Sequence, residues 1–328
     1  MTGTTDAVVV GGGIVGLTAA VRLQEQGFRV TVLAADDPER TVSTVAAAVW
    51  YPTHTDEDPR VLRWARDTYT VLTRQAAEGV PGVVLRPTRM LLRGRFDGPP
   101  WWAEATGDLV VHPADPPYEV ELRFTAPTVE MSPYLAWLHD RLVAGGGRVV
   151  RHRLDHLDDA FTGATTGTTE TFGGAATVVN ATGLAARELA GDPAVYPVRG
   201  HIVLVANPGL TTSVRDEANP RGITYVHPRR HDVVLGGTFD PQRSDTDPDP
   251  ATAEAIRARC VELVPELADA PVLGERIGLR PARHGGPRVE RESTGVPGRR
   301  LVHAYGHGGA GVTLAWGCAD EVAALATG

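Results

Sequence analysis

The chain has 328 residues, 42% of them apolar and 22% charged, the balance of a soluble globular protein long enough for one large domain or two intertwined ones. Its formal net charge of −8 gives a nucleic-acid role no electrostatic support. All 32 basic side chains are arginines, which excludes chemistry that depends on a lysine, such as a Schiff base or a P-loop.

The first element is an apolar run, Asp6-Ala7-Val8-Val9-Val10, entering the loop Gly11-Gly12-Gly13-Ile14-Val15-Gly16. As strand, tight turn and helix start it fits the G-x-G-x-x-G dinucleotide fingerprint at Gly11, Gly13 and Gly16. Gly11 permits the turn, Gly13 lets backbone approach a pyrophosphate, and Gly16 lets the helix pack closely on the strand. The free N–H groups and dipole of the helix start favour that anion. A helix carrying Leu17, Ala20 and Val21 follows, Gly27 ends it, and residues 28–33 read as the next strand. Asp36 falls near the position where an acid meets a ribose hydroxyl. The nearly apolar stretch 7–21 is too short to span a bilayer, and no secretion leader precedes it, so a cytoplasmic protein without a membrane partner is expected.

Acidic, proline-bearing patches at 36–39, 56–59 and 245–250 read as loops. A helix starts at Ser132-Pro133, carries Leu135, Leu138 and Leu142, and stops at the glycines 145–147. Residues 148–154 read as a strand. The stretch 151–156, with His152 and His156, reads as one solvated strand face rather than a metal site, and His54 and His112 have no evident partner. Residues 177–183 form a buried parallel-type strand ending in a small-residue turn. The segments before it break the β-α-β rhythm, so the nucleotide domain is discontinuous. That organisation favours a flavoprotein over a nicotinamide dehydrogenase.

Residues 223–238 read as a hairpin that offers the Tyr225 phenol to a ligand. Asp249 and Pro250 suit the start of a helix with Ile256, Cys260, Val261 and Val264 on its apolar face. Cys260 and Cys318 fit no metal spacing and read as small buried side chains. Arg280, in Gly278-Leu279-Arg280-Pro281, could bind a carboxylate through two parallel N–H···O bonds or sit in a structural ion pair. The second glycine loop, with Gly306, Gly308, Gly309 and Gly311, feeds a final helix and offers another backbone anion site.

Taken in order, the first loop and segments 45–52, 179–183, 198–202, 225–228, 278–281 and 305–309 resemble the D-amino-acid oxidase family over almost the whole chain. The resemblance implies an α/β fold: a discontinuous Rossmann-like FAD-binding domain (1–50, 133–190 and 276–328) with an inserted α+β substrate-binding domain on a mixed or antiparallel sheet (51–132 and 191–275). It implies oxidative deamination of D-amino acids, with FAD as cofactor, molecular oxygen as acceptor and no metal, and leaves room for a homodimer. Arg280 and Tyr225 match the pair on the substrate carboxylate, and Gly309 the carbonyl that receives the amine. Ala47, Val49 and Trp50 match the stretch near the flavin ring, and Gly311, Val312 and Thr313 the end bearing the C2 carbonyl. Leu154 matches a contact near the adenine. Ile14, Val15, Ser43, Ala46, Ala48, Thr182, Gly183 and Gly308 complete the implied cofactor contacts, and Tyr51 joins the substrate pocket.

There are departures from the family pattern. Residues 221–224 leave no room for a longer lid with a second tyrosine, and Ala310 replaces a bulkier residue. Ala35 stands where some members carry an acid, leaving Asp36 or Asp37 for the ribose, and the chain ends without a peroxisomal tripeptide. Arg215 could pair a second carboxylate, as in a D-aspartate oxidase. Phe239, where acidic-substrate members carry arginine, favours neutral or apolar side chains. Glycine or sarcosine oxidase is a more remote alternative.

Overall fold

A computed structural model describes residues 6–52, 55, 58–163 and 172–328. His54, and Asp56 and Glu57 of the second acidic patch, lie outside the described residues. Two sheets organise the chain. The six-stranded sheet runs, edge to edge, Arg288–Glu292, Arg300–Tyr305, Thr177–Asn180, Asp6–Val10, Arg29–Ala34 and Arg148–Arg151. Every pair in it is parallel except the edge hairpin of Arg288–Glu292 with Arg300–Tyr305. Its central strands are valine runs buried on both faces, as a doubly wound sheet requires.

Helices cover one face of this sheet. Ile14–Glu25 packs on Gly311–Thr327, where the Thr18 hydroxyl, already bonded to the Ile14 carbonyl at 2.9 Å, reaches Ala315 O at 3.3 Å. Pro59–Ala77 crosses the other side of the last helix at Gly317, where an added Cβ would sit 2.4 Å from Trp64 Cα. Only glycine permits that approach of two backbones. Within the same core, Tyr134 Oη takes a hydrogen bond from Trp316 Nε1 and donates one to Gln75 Oε1, both 2.7 Å.

The second sheet has eight strands in the order Val272–Arg283, Val195–Ala206, Asp232–Gly236, Thr224–Pro228, Ser213–Asp216, Val83–Leu92, Val120–Val129 and Val110–Pro113. It is antiparallel apart from the parallel pairing of Val83–Leu92 with Ser213–Asp216. Helix Pro250–Leu263 starts as expected: Asp249 accepts a hydrogen bond from Thr252 N–H at 3.1 Å, and Ile256 and Cys260 are buried against the sheet. Neither Cys260 nor Cys318 is in a disulfide, and both are buried.

Strand Val272–Arg283, which contains the expected domain junction at 276, pairs with Val195–Ala206 with a register shift between Val272 and Gly274. The chain returns to the first sheet only at Arg288. One boundary differs from the sequence reading: the strand expected at 148–154 stops at Arg151. His152 turns inward against Phe172, 5.2 Å between ring centroids, so residues 151–156 are not one solvated face. Among the described residues no cluster of His, Cys, Asp or Glu could hold a metal ion.

Candidate active site

A cavity of about 860 Å³ runs from the first glycine loop to the face of the second sheet. It opens at the carboxyl ends of Asp6–Val10 and Thr177–Asn180, the crevice where open α/β sheets bind ligands. Gly11 has φ +122°, and a Cβ there would lie 2.3 Å from Ala181 O. A Cβ on Gly16 would lie 1.9 Å from Gly11 O, so this glycine serves helix-to-strand packing, and it does not line the cavity. Helix Ile14–Glu25 has no side-chain N-cap and no acid in its first turn. Ser43 Oγ accepts from Ile14 N–H at 3.0 Å, and the other N–H groups of the helix start, including those of Gly13 and Val15, are left for an anion.

Farther along this end lie Asp36, held by Arg153 at 3.1 Å, and buried Leu154. Asp37 turns to the surface and pairs with Arg151, so of the two acids Asp36 faces the cavity. The Thr182–Gly183 turn is fixed by Asn180 Oδ1, which accepts from Thr182 N–H at 3.2 Å and from its hydroxyl at 2.7 Å. Ala46, Ala47, Ala48 and Val49 form the middle of the wall. Ala48 holds a left-handed φ of 54°, a strained conformation for a residue with a side chain.

Trp50 does not reach the cavity. Its indole is fully buried on the other side of the chain, donates to Ala65 O at 2.9 Å, and packs edge-on against Tyr69 and Trp102. The backbone alternates direction at each residue here, so Val49 and Tyr51 face the cavity and Trp50 faces the core.

The second glycine loop closes the far side. Gly308, Gly309, Gly311, Val312 and Thr313 line the cavity, and helix Gly311–Thr327 begins with neither a side-chain cap nor an acid. Thr313 Oγ1 ties this helix start to Tyr51, accepting from its N–H at 3.1 Å and donating to its carbonyl at 3.0 Å. His307 is buried against Ala282 and its Nε2 has no partner among the described residues. Burial lowers it to about 4, so the ring is neutral and a poor base.

Arg280 rises from its strand beside Gly200, where an added Cβ would lie 2.4 Å from the guanidinium. Nη1 donates to Thr238 O at 3.0 Å and to Arg199 O at 3.4 Å, and among the described residues no carboxylate pairs with Arg280. The structural ion pair left open by the sequence is absent there. Tyr225 stands over Gly236 and Gly237, neither of which has room for a side chain. Burial raises the Tyr225 phenol, which therefore keeps its proton and remains a donor. Phe239 borders Arg280, with the guanidinium 6.0 Å from the ring centroid.

Three contributors were not singled out from the sequence. Glu217 lines the cavity and pairs with Arg215. His227 stacks on Tyr225 at 4.7 Å, held neutral chiefly by burial with Arg215 adding to the effect. Arg259 lies beneath the hairpin, its guanidinium donating to Thr224 Oγ1 at 3.3 Å, Gly237 O at 3.3 Å and Ile223 O at 3.4 Å. Its place between Ile256 and Cys260 on the buried helix face was the available signal.

The cavity thus offers two helix starts without side-chain N-caps, the Asp36 carboxylate and, among the described residues, a guanidinium without a carboxylate partner, a set that fits a flavin dinucleotide with an anionic substrate beside it. Comparison with known proteins agrees. The family model described as FAD dependent oxidoreductase matches residues 6–325. A D-amino-acid oxidase of Rubrobacter xylanophilus is 49% identical over 324 residues, covering 98% of this chain and 95% of that one. One from Streptomyces coelicolor is 42% identical, covering 98% and 97%. The fold matches a glycine oxidase of Geobacillus kaustophilus with TM-score 0.81 at 20% identity, over 99% of this chain and 95% of that one. Both sheets and both glycine loops fall within the matched residues, and the chain belongs to the FAD dependent oxidoreductase family.

Proposed function

We propose that this protein is a D-amino-acid oxidase, converting a D-amino acid, oxygen and water to the 2-oxo acid, ammonia and hydrogen peroxide, the water hydrolysing the imino acid first formed. The observation that carries the reading is Arg280, a guanidinium without a carboxylate partner among the described residues, at the end of the dinucleotide cavity. Two relatives that share over 40% of this sequence are D-amino-acid oxidases.

FAD, bound in this cavity, would supply a two-electron oxidant that oxygen can regenerate. The chain's own residues do the positioning. Arg280 and the protonated Tyr225 hold the substrate carboxylate, and Gly309 receives the neutral amine through its carbonyl. With these two groups fixed, one enantiomer alone directs its Cα–H toward the oxidant. Gly11, Gly13, Ile14 and Val15 hold the pyrophosphate, and Asp36 the ribose. The helix start at 311–313 would favour negative charge on a flavin ring held beside it. No side chain need abstract a proton from Cα, in keeping with the low basicity that burial gives the imidazoles of His307 and His227.

Phe239 and the apolar wall favour neutral side chains. A cytoplasmic location and a homodimer belong to the same proposal, the second measured by light scattering. The test of the activity is anaerobic mixing of the yellow protein with panels of D- and L-amino acids. Bleaching of the flavin by D-isomers is expected; bleaching by L-isomers, or by glycine alone, overturns the assignment.

A further inference from the structure

The cavity wall next to Tyr225 carries a charge pair of its own. Arg215 is the cross-strand partner of Tyr225, so both side chains leave the sheet on the same face. Its guanidinium lies 3.6 Å from the centroid of the Tyr51 ring and donates from Nη2 to the Glu217 carboxylate. The Arg215 side chain is only 6% exposed, that of Glu217 24%, and both line the cavity. Arg215 Nε is buried and has no partner among the described residues.

Nε and Nη2 form one edge of the guanidinium, the edge that holds both oxygens of a carboxylate. Arg29 uses it in this way, with Nε and Nη2 on the two oxygens of Asp6 at 2.5 and 2.7 Å. Arg215 has the same edge half occupied: Glu217 takes Nη2 and leaves Nε. A buried guanidinium lining this cavity, with Nη2 held by Glu217 and Nε without a partner among the described residues, has the donors of a carboxylate receptor, and Glu217 is what neutralises it. Charged groups reaching Tyr225 include Arg280, Arg215 and Glu217, so the pair lies within electrostatic range of the group proposed to hold the substrate.

We propose that Glu217 determines side-chain specificity by masking Arg215. With the pair intact this wall carries no net charge, and neutral side chains pass. A side-chain carboxylate meets a receptor already held by Glu217 and is rejected by it. The inference rests on the D-amino-acid oxidase reading and adds to it the group that excludes acidic substrates.

The test is Glu217→Gln in the flavin-loaded protein. The ratio of kcat/KM for D-glutamate and D-aspartate to that for D-alanine is expected to rise at least tenfold. Inhibition of D-alanine turnover by succinate, relative to propionate, is expected to tighten at least fivefold, and adding Arg215→Gln should abolish both gains. A substrate ratio and a succinate constant within twofold of the parent, in variant protein that retains its flavin, overturn the proposal. Should Glu217→Gln fail to fold, Arg215→Gln alone reads the pair from its other side: turnover of D-arginine relative to D-alanine should rise at least fivefold, and an unchanged ratio overturns it. Parent protein not reduced by D-alanine refutes the oxidase reading; parent protein that is reduced, with unchanged variant ratios, refutes only the role of Glu217.

Discussion

Replacing Gly200 by alanine separates the role of Arg280 from the stability of the sheet that carries it. The new Cβ would lie 2.4 Å from the Arg280 guanidinium, whereas ordinary contact begins at 3.4 Å. The guanidinium must therefore move by about 1 Å, the scale on which misplaced positioning groups lose on the order of a hundredfold in rate. The atoms it meets are the tip of a long flexible side chain rather than backbone, so the strand itself need not shift. Loss of hydrogen bonding to a charged group is worth about 1.5–3 kcal/mol, or roughly ten- to 150-fold in apparent affinity. Gly200→Ala should therefore raise KM for D-alanine by that factor with the melting temperature close to the parent's and the flavin retained. Arg280→Ala should lose a similar amount, and the double variant little more than either single one, because both act through one guanidinium. Steady-state kinetics with D-alanine and thermal melting followed by flavin fluorescence give the two readings. An unchanged KM in Gly200→Ala would refute Arg280 as the carboxylate anchor.

Gly317→Ala poses the opposite case, because its Cβ would meet the Trp64 backbone at 2.4 Å, which cannot swing aside. It should cost about 1–3 kcal/mol in urea unfolding while leaving KM near the parent value. His307 predicts a pH effect on stability. Its pKa falls from 6.5 to about 4 on burial, so the unfolded chain binds more protons between these values. The stabilising share is complete above about pH 6.5 and is lost as pH falls toward 4, about 3 kcal/mol in all. His307→Asn should flatten that part of the pH dependence of the melting temperature, and an unchanged slope between pH 6.5 and 4.5 would contradict the neutral buried ring.

The cofactor end was legible because its requirements are local. Gly11, Gly13 and Gly16 stand within one turn, and the valine strand before them and the helix after them are set by neighbours in sequence. The flavin reading came from a longer pattern, the return of the sheet at Thr177–Asn180, which the pairing with Asp6–Val10 bears out. Trp50 was misplaced because a family segment lends contacts to a run of residues, whereas an extended chain sends alternate side chains to opposite faces. The inward turn of His152 just past Arg151 places it against Phe172, a partner from another part of the chain that is not written nearby.

The substrate end was harder for the same reason. Arg215 was nameable, but its state was not: whether it is a free cation or a neutralised one depends on Glu217 and on Tyr51, which approaches from another part of the chain. A residue type chosen for its charge says what it can bind only after its counter-charges are located. Arg280 and Arg215 make the contrast within one cavity. The first donates to backbone carbonyls and has no carboxylate on it among the described residues; the second is held by Glu217. In the proposed reading, two arginines of the same chemistry take opposite parts, one attracting the carboxylate common to all amino acids and the other, while masked, withholding attraction from a second.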